Sequence, residues 1–295
     1  AAQKLIGTKG VQAILGGICS SETLGMAPIV NEKKVVLVSP GSSSPLITTD
    51  GGPYVSRLYP SDALAGKAAA RYALNEFQAK SAAIISENTD YAKGLSSVFT
   101  ETFKQFGGVI IMHETYNTGV TDFRTQALKI KNAGVDVVYA VPQTDAAGIS
   151  ILKALRNQGI KTRILTGEVL ISPAVVKANA ELLEGVIGFE PSFDGAAPAA
   201  KAFATTYQET YQEELSWPFI QSSSYSIIYL FKQLMEENRQ TGEQLKGALD
   251  TLKDWTGGAM SGVSLDANGD LMWKAFSVKV GRSGESVTAE SLDVE

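Results

Sequence analysis

Short β-branched apolar runs alternate with helical patterns through the middle of this chain, and that alternation restricts the fold more than any other feature. Residues 82–86 (AAIIS), 109–112 (VIIM), 136–141 (DVVYAV) and 164–166 read as strands buried on both faces. Between them, residues 63–77, 93–106, 122–133 and 146–158 repeat their apolar positions at three- and four-residue spacing, as in Leu64, Ala68, Tyr72 and Ala73. Gly107, Gly134 and Gly159 stand where these helices should end. Strands alternating with helices of this length predict an α/β fold built on parallel sheets. At 295 residues the chain is most simply two lobes.

The remaining segments follow a different pattern. After residues 185–189 comes the small-residue stretch DGAAPAA, then helical patterns near 199–214, 221–237 and 241–255, the last opened by a capping box of Thr241 and Gln244. Residues 262–265 and 272–280 read as a hairpin closed by the acidic turn 266–270. That turn lacks the glycine and distal glutamate of an EF-hand loop, so it reads as a plain turn and no metal site is expected.

Composition removes several functional classes. Hydrophobic content of 44% and charged content of 19% suit a soluble globular protein. A net charge of −5 leaves no concentrated basic face for nucleic acid. No apolar run approaches bilayer-spanning length, and no signal-type segment opens the chain. The single histidine, His113, has no G-x-S-x-G elbow, and it reads as a satisfied strand-end residue. Gly66-Lys67 lacks the upstream glycine of a P-loop, and no G-x-G-x-x-G opens a helix. One cysteine, Cys19, excludes a cysteine-rich zinc site and any disulfide within the chain. The 31 carboxylates do not by themselves identify an acid/base pair, so neither a cofactor nor an enzymatic activity is expected.

The segment 10–45, GVQAILGGICSSETLGMAPIVNEKKVVLVSPGSSSP, presents two serine-rich loops, each following an apolar strand. Ser20 follows the strand at 13–18 and opens a helix whose free N–H groups favour an anion. Gly41, Ser42 and Ser43 follow the strand at 35–38, where Gly41 permits close backbone approach and the serines supply hydroxyls. These positions fall beyond the carboxyl ends of strands, where open α/β sheets bind ligands. Taken singly, such serines could equally cap helices and fill turns.

This passage resembles the type I periplasmic binding proteins of the leucine/isoleucine/valine-binding family, with their V-x-A-I-I-G strand and S-P-x-S-S-x-P loop. Further motifs follow in order. Residues 88–95 (NTDYAKGL) resemble the x-x-Y-G-x-G-L loop, and 116–123 (YNTGVTDF) resemble Y-x-x-G-x-x-D-F. The helix with Tyr225 resembles the Y-D-A helix, although Ser226 replaces the acid, and 266–270 resembles a D-x-x-G-D turn.

The resemblance implies two Rossmann-like lobes joined by a three-crossing hinge, with lobe one at 1–59 plus 191–255 and lobe two at 60–190 plus 256–295. Residues 1–6 look like the last turns of a helix, and in the family a strand, a helix and a second strand precede it. At least ~30 residues would then be absent and lobe one incomplete, with an exposed sheet edge. The resemblance implies that Ser20, Gly41 and Ser43 hold a ligand α-carboxylate, that Glu168 takes its ammonium group, that Tyr91 closes over it, and that Gln143 and Tyr225 stand near it. Gln143 replaces the usual aromatic of branched-chain binders, which argues against leucine specifically. In the family the cysteine of this loop pairs with one upstream, so the resemblance implies either a free thiol at Cys19 or a partner on the absent segment.

The expected function is a monomeric, extracytoplasmic solute-binding protein of an ABC importer. It would take a small amino acid or related carboxylate between its lobes and deliver it to a membrane permease. It would act in the periplasm or at the outer face of the membrane, free or as a lipoprotein with its signal peptide removed. The alternatives are the ligand-binding sensor domain of a receptor, or an α/β enzyme whose carboxylates are unpaired in sequence.

Overall fold

The computed structural model describes residues 1–294. The chain divides into two compact units and passes between them three times: unit 1 comprises Ala1–Ser61 and Phe193–Trp273, and unit 2 comprises Asp62–Ser192 and the segment from Lys274 onward.

Unit 1 opens with α1 (Ala2–Lys9), β1 (Ala13–Leu15), α2 (Ser20–Lys33), β2 (Val36–Ser39), α3 (Leu46–Asp50) and β3 (Val55–Arg57). Helix α1 runs through Gly7 and stops only at Gly10. β1 is shorter than the expected 13–18, because Gly16 and Gly17 turn the chain out of the strand. The three strands form a parallel sheet in the order β1-β2-β3. Because side chains alternate across a strand, Leu37 joins Ile14, Val30 and Val55 on one face, while Val36 and Val38 pack on the other.

Unit 2 begins with α4 (Asp62–Asn75), β4 (Ser81–Glu87), α5 (Asp90–Gln105), β5 (Val109–Tyr116), α6 (Arg124–Ala133), β6 (Val137–Val141), α7 (Asp145–Asn157) and β7 (Arg163–Gly167). A short 3₁₀ turn, Glu168–Leu170, then leads to α8 (Pro173–Ala178), α9 (Ala180–Leu183) and β8 (Ile187–Pro191). The sequence already carries these starts and stops. Thr89 and Thr144 accept the N–H groups of Ala92 and Ala147 as N-caps, and Gly134 ends α6 in the left-handed conformation at φ 61°.

The chain returns to unit 1 with α10 (Pro198–Tyr211), α11 (Pro218–Glu236) and α12 (Gly242–Leu249), and Thr241 and Gln244 form the expected capping box. It ends in unit 2 with β9 (Ala275–Arg282) and β10 (Glu285–Asp293). The seven strands of unit 2 lie in the order β10-β9-β8-β7-β6-β4-β5, parallel from β5 to β8 and antiparallel at β9 and β10.

Two expectations change here. Residues 256–273 belong to unit 1 instead of following the last crossing, because Met260, Val263, Leu265 and Leu271 complete the core that α11 and α12 form over β2. The expected hairpin about residues 266–270 is reduced to single bridges, Trp255 to Val263 and Leu265 to Leu271. The full hairpin is instead β9 with β10, turning at Ser283 and Gly284.

Candidate functional site

In unit 1 the two serine loops form one hydrogen-bonded body. Gly17 is the pivot. Its φ of 69° suits glycine, and a Cβ there would meet Thr23 Oγ1 at 1.9 Å. The Gly17 carbonyl thereby accepts Ser39 Oγ at 2.5 Å, Ser42 Oγ at 2.9 Å and Thr23 Oγ1 at 3.2 Å. Ser42 Oγ also lies 2.8 Å from Thr23 Oγ1, and Ser39 Oγ accepts the N–H groups of Ser42 and Gly41. Ser20 Oγ accepts the N–H of Ser44 at 3.1 Å, which ties the first loop to the second. Ser20, Ser42 and Ser43 are all buried. Gly41 keeps the loop close to Ile18 and Ile220, since its Cβ would lie 3.2 Å from Ile18 Cγ2.

At the start of α2, the carboxylate of Glu22 accepts the N–H of Cys19 and so takes one of the helix's free donors. Burial, then the charge of Glu22, pushes the Cys19 thiol above its usual pKa.

Arg57, which the sequence reading overlooked, braces this body from below. Its side chain is fully buried and donates from Nη1 to the carbonyls of Ser44 at 2.9 Å and Ser42 at 3.3 Å. Nε and Nη2 make a bidentate pair with Asp270 at 2.8 and 3.0 Å, and Thr48 bonds both partners. The turn 266–270 is therefore not free to act as a cation loop. Asp266 accepts the backbone N–H groups of Asn268 and Asp270, and Asp270 is committed to Arg57. An arginine within the run VSRLY, facing a D-x-x-G-D turn far along the chain, was the available signal.

Tyr225 lies on α11 and makes ring contacts. Its ring packs against Phe203 of α10 at 4.6 Å and Tyr229 at 4.5 Å, inside an aromatic row that continues to Tyr207 and Tyr211. The small residues of α11 face inward instead, and Ser226 accepts the N–H of Met260.

In unit 2, Tyr91 and Glu168 come together. Glu168 opens the 3₁₀ turn just past β7, and Tyr91 lies in the first turn of α5. The Tyr91 hydroxyl donates to Glu168 Oε2 at 3.2 Å. Gly167 makes this approach possible, because a Cβ there would lie 2.4 Å from the Tyr91 oxygen. Burial raises the Glu168 pKa to about 7, against the opposing effects of its own backbone N–H and the Tyr91 hydroxyl, and the nearby Glu190 adds repulsion. Glu190 itself is neutralised by Lys279 at 3.2 Å, whereas Glu168 has no cation partner among the described residues.

Gln143 follows β6, and its backbone N–H donates to Glu87 Oε2 at 2.9 Å. His113, on the edge strand β5, has Nε2 2.8 Å from Ser86 Oγ, and desolvation lowers its pKa. Among the described residues no carboxylate pairs with it in the manner of a general base.

Residues 1–285 match the sequence model of a family described as periplasmic binding protein. The Leu/Ile/Val/Thr-binding protein of Salmonella typhimurium is 25% identical over 272 residues, covering 91% of this chain and 72% of that protein. An amino acid binding protein of Pseudomonas aeruginosa is 26% identical, covering 75% of this chain and 61% of that protein. Among solved structures, the leucine binding protein LivK of Thermotoga maritima aligns with a TM-score of 0.88 at 26% identity, covering 99% of this chain and 83% of that one. A solute binding protein of an ABC transporter from R. palustris, in complex with 4-hydroxybenzoate, aligns at 0.84 with 20% identity over 100% of this chain and 81% of that one, a likeness of fold.

Proposed function

Taking as premise that this chain belongs to the periplasmic binding protein family, we propose that it captures a small amino acid or closely related carboxylate for an ABC importer and delivers it to the membrane permease. The protein is a solute binder and not an enzyme. The observation that carries the reading is Glu168: a carboxylate with a pKa raised to about 7 and a single neutral side-chain donor, Tyr91, is an incomplete ion pair. A ligand ammonium group would complete it.

The serine body of unit 1, by itself, is neutral and rich in hydroxyls, which suits a carboxylate. Ser43 bonds the ligand carboxylate, while Ser20 and Ser42 hold the loops in shape, the N–H groups of Gly41 and Ser42 being already taken by Ser39 Oγ. Gln143 adds an amide donor and acceptor where an apolar ligand would gain nothing, which favours a small or polar side chain over leucine. Because Tyr225 is engaged with Phe203 and Tyr229, it contributes to the site indirectly through α11. The protein works as a monomer outside the cytoplasm, and no helix among the described residues is long and apolar enough to cross a membrane.

Isothermal titration of wild type, Glu168→Gln and Ser43→Ala with the L-amino acids and their 2-keto acids tests this. Removing one member of a buried charge pair costs about 2–5 kcal/mol, or roughly 30- to several-thousand-fold in affinity. Glu168→Gln should show that loss for the amino acid. Tight binding of a keto acid by wild type, or unchanged affinity in Glu168→Gln, would remove the ammonium from the reading and leave a carboxylate binder.

A further inference from the structure

The parallel strands of unit 2 lie in the order β5-β4-β6-β7-β8, so the chain leaves β4 on one side to form β5 and returns on the other to form β6. A reversal of this kind opens a crevice beyond the carboxyl ends of the two flanking strands, here β4 and β6. Glu87 is the last residue of β4 and is 1% exposed. Its carboxylate receives the backbone N–H of Gln143 on Oε2 at 2.9 Å, the Tyr116 hydroxyl on Oε2 at 3.4 Å and the Thr118 hydroxyl on Oε1 at 2.6 Å. These donors come from the chain after β6, the end of β5 and the loop after β5. One side chain thus joins the ends of three adjacent strands.

None of the three donors is charged. A buried carboxylate with only neutral donors is expensive to keep, and apolar packing would stabilise the same three strands at lower cost. Its placement at the switch point has a different consequence: it fixes the main chain of Gln143, whose N–H it accepts. Tyr116 is held in turn by Phe123, edge-on at 4.8 Å, so the clamp rests on a rigid floor.

We propose that Glu87 is a positioning residue for ligand selection in unit 2. It holds Gln143 so that the side-chain amide meets the ligand in one orientation. The inference deepens the reading of Gln143 as a ligand contact and rests on it; the clamp itself can be tested without any ligand. The role requires acceptors at a given reach and no negative charge as such. Glutamine can fill it, because its oxygen replaces Oε2 and the Thr118 hydroxyl can rotate to accept from its amide. Aspartate keeps the charge but is one methylene too short to reach all three donors.

Amide hydrogen exchange on the full chain, with Glu87→Ala, Glu87→Asp and Glu87→Gln beside wild type, reads the clamp directly. The Gln143 amide should exchange about 10- to 100-fold faster in Glu87→Ala, less so in Glu87→Asp, and near the wild-type rate in Glu87→Gln. The β9/β10 hairpin should keep its protection in every variant. Should Glu87→Ala fail to fold, the ranking of Gln over Asp still decides. Unchanged Gln143 exchange in Ala or Asp, or Asp outperforming Gln, overturns the clamp.

The ligand arm titrates L-threonine and L-isoleucine into wild type, Glu87→Asp, Gln143→Ala and the double variant. If Glu87 acts through the Gln143 side chain, Glu87→Asp should change the Thr/Ile affinity ratio by about threefold or more alone and have no further effect beside Gln143→Ala. Additive effects overturn the positioning role. Failure of wild type to bind either amino acid counts against the proposed ligand class, while the exchange result still decides the clamp.

Discussion

The serine loops of unit 1 and the strand ends of unit 2 present opposite electrostatic situations. Near the loops of unit 1, the buried Arg57 and the half-buried Asp270 neutralise one another in a bidentate pair, and the loops themselves are hydroxyls and amides that satisfy each other. In unit 2, Glu168 and Glu87 are held by neutral donors alone. The comparison separates two kinds of recognition. A body of neutral donors and acceptors changes little with pH. Glu168, with its pKa raised to about 7 by burial, responds to protons near neutrality, whereas Glu87 serves as an acceptor for three neutral donors.

The largest expected effect lies in unit 1. Arg57→Ala leaves Asp270 without its partner and withdraws the brace under Ser42 and Ser44, and losing one side of a buried pair costs about 3–5 kcal/mol. Equilibrium denaturation should show that loss. A change below about 1 kcal/mol, the range of exposed pairs, would mean that the pair is not the anchor of the loops.

The second effect comes from unit 2 and has a definite sign. Burial raises the pKa of Glu168 from 4.5 to about 7 in the folded protein. The folded state therefore holds a proton that the unfolded chain has lost between those values, and stability falls as pH rises across that window, flattening above 7. The integrated contribution is about 3 kcal/mol. Denaturation of wild type and Glu168→Gln at pH 5 and pH 8 should show the variant gaining relative to wild type at the higher pH. An equal difference at both pH values would contradict an unneutralised Glu168.

A smaller change sharpens the same contrast. Ser43→Ala should weaken ligand binding by about 1 kcal/mol, the worth of one neutral hydrogen bond, with no pH dependence of its own. The least effect concerns Cys19. Burial and Glu22 hold its thiol above the usual range, so alkylation near pH 8 should be slower than that of glutathione and should recover in denaturant. Equal rates would show that the thiol is not shielded.

The sequence reveals these two regions unevenly. The strands β4, β6 and β7 are apolar runs and could be read at once, and the Thr241–Gln244 capping box follows from two residues. Glu168 and Tyr91 were accessible through their motifs, and the structure joins them by a hydrogen bond. Arg57 left only the weak signal of an arginine in an apolar run and Glu87 left none, because a buried charge has no periodicity and its partners lie 213 and 56 residues away. The boundary at Trp273 was misplaced for a related reason: residues 256–273 form single bridges instead of strands, and only their packing onto α11 and α12 assigns them to unit 1. β10 escaped notice because its side chains are largely exposed and carry no apolar alternation.

If a ligand ammonium group pairs with Glu168, binding must release a proton, and that release can be measured. With a pKa of about 7 before binding and a much lower one beside an ammonium group, binding an amino acid at pH 7 should release about half a proton. The association constant should rise about tenfold from pH 6 to pH 8. Titration of the tightest-binding amino acid at pH 6, 7 and 8, each in two buffers of different ionisation enthalpy, measures both quantities. Proton release near pH 7, abolished in Glu168→Gln, is the expected result; no proton exchange, or an affinity that falls as pH rises, would contradict it.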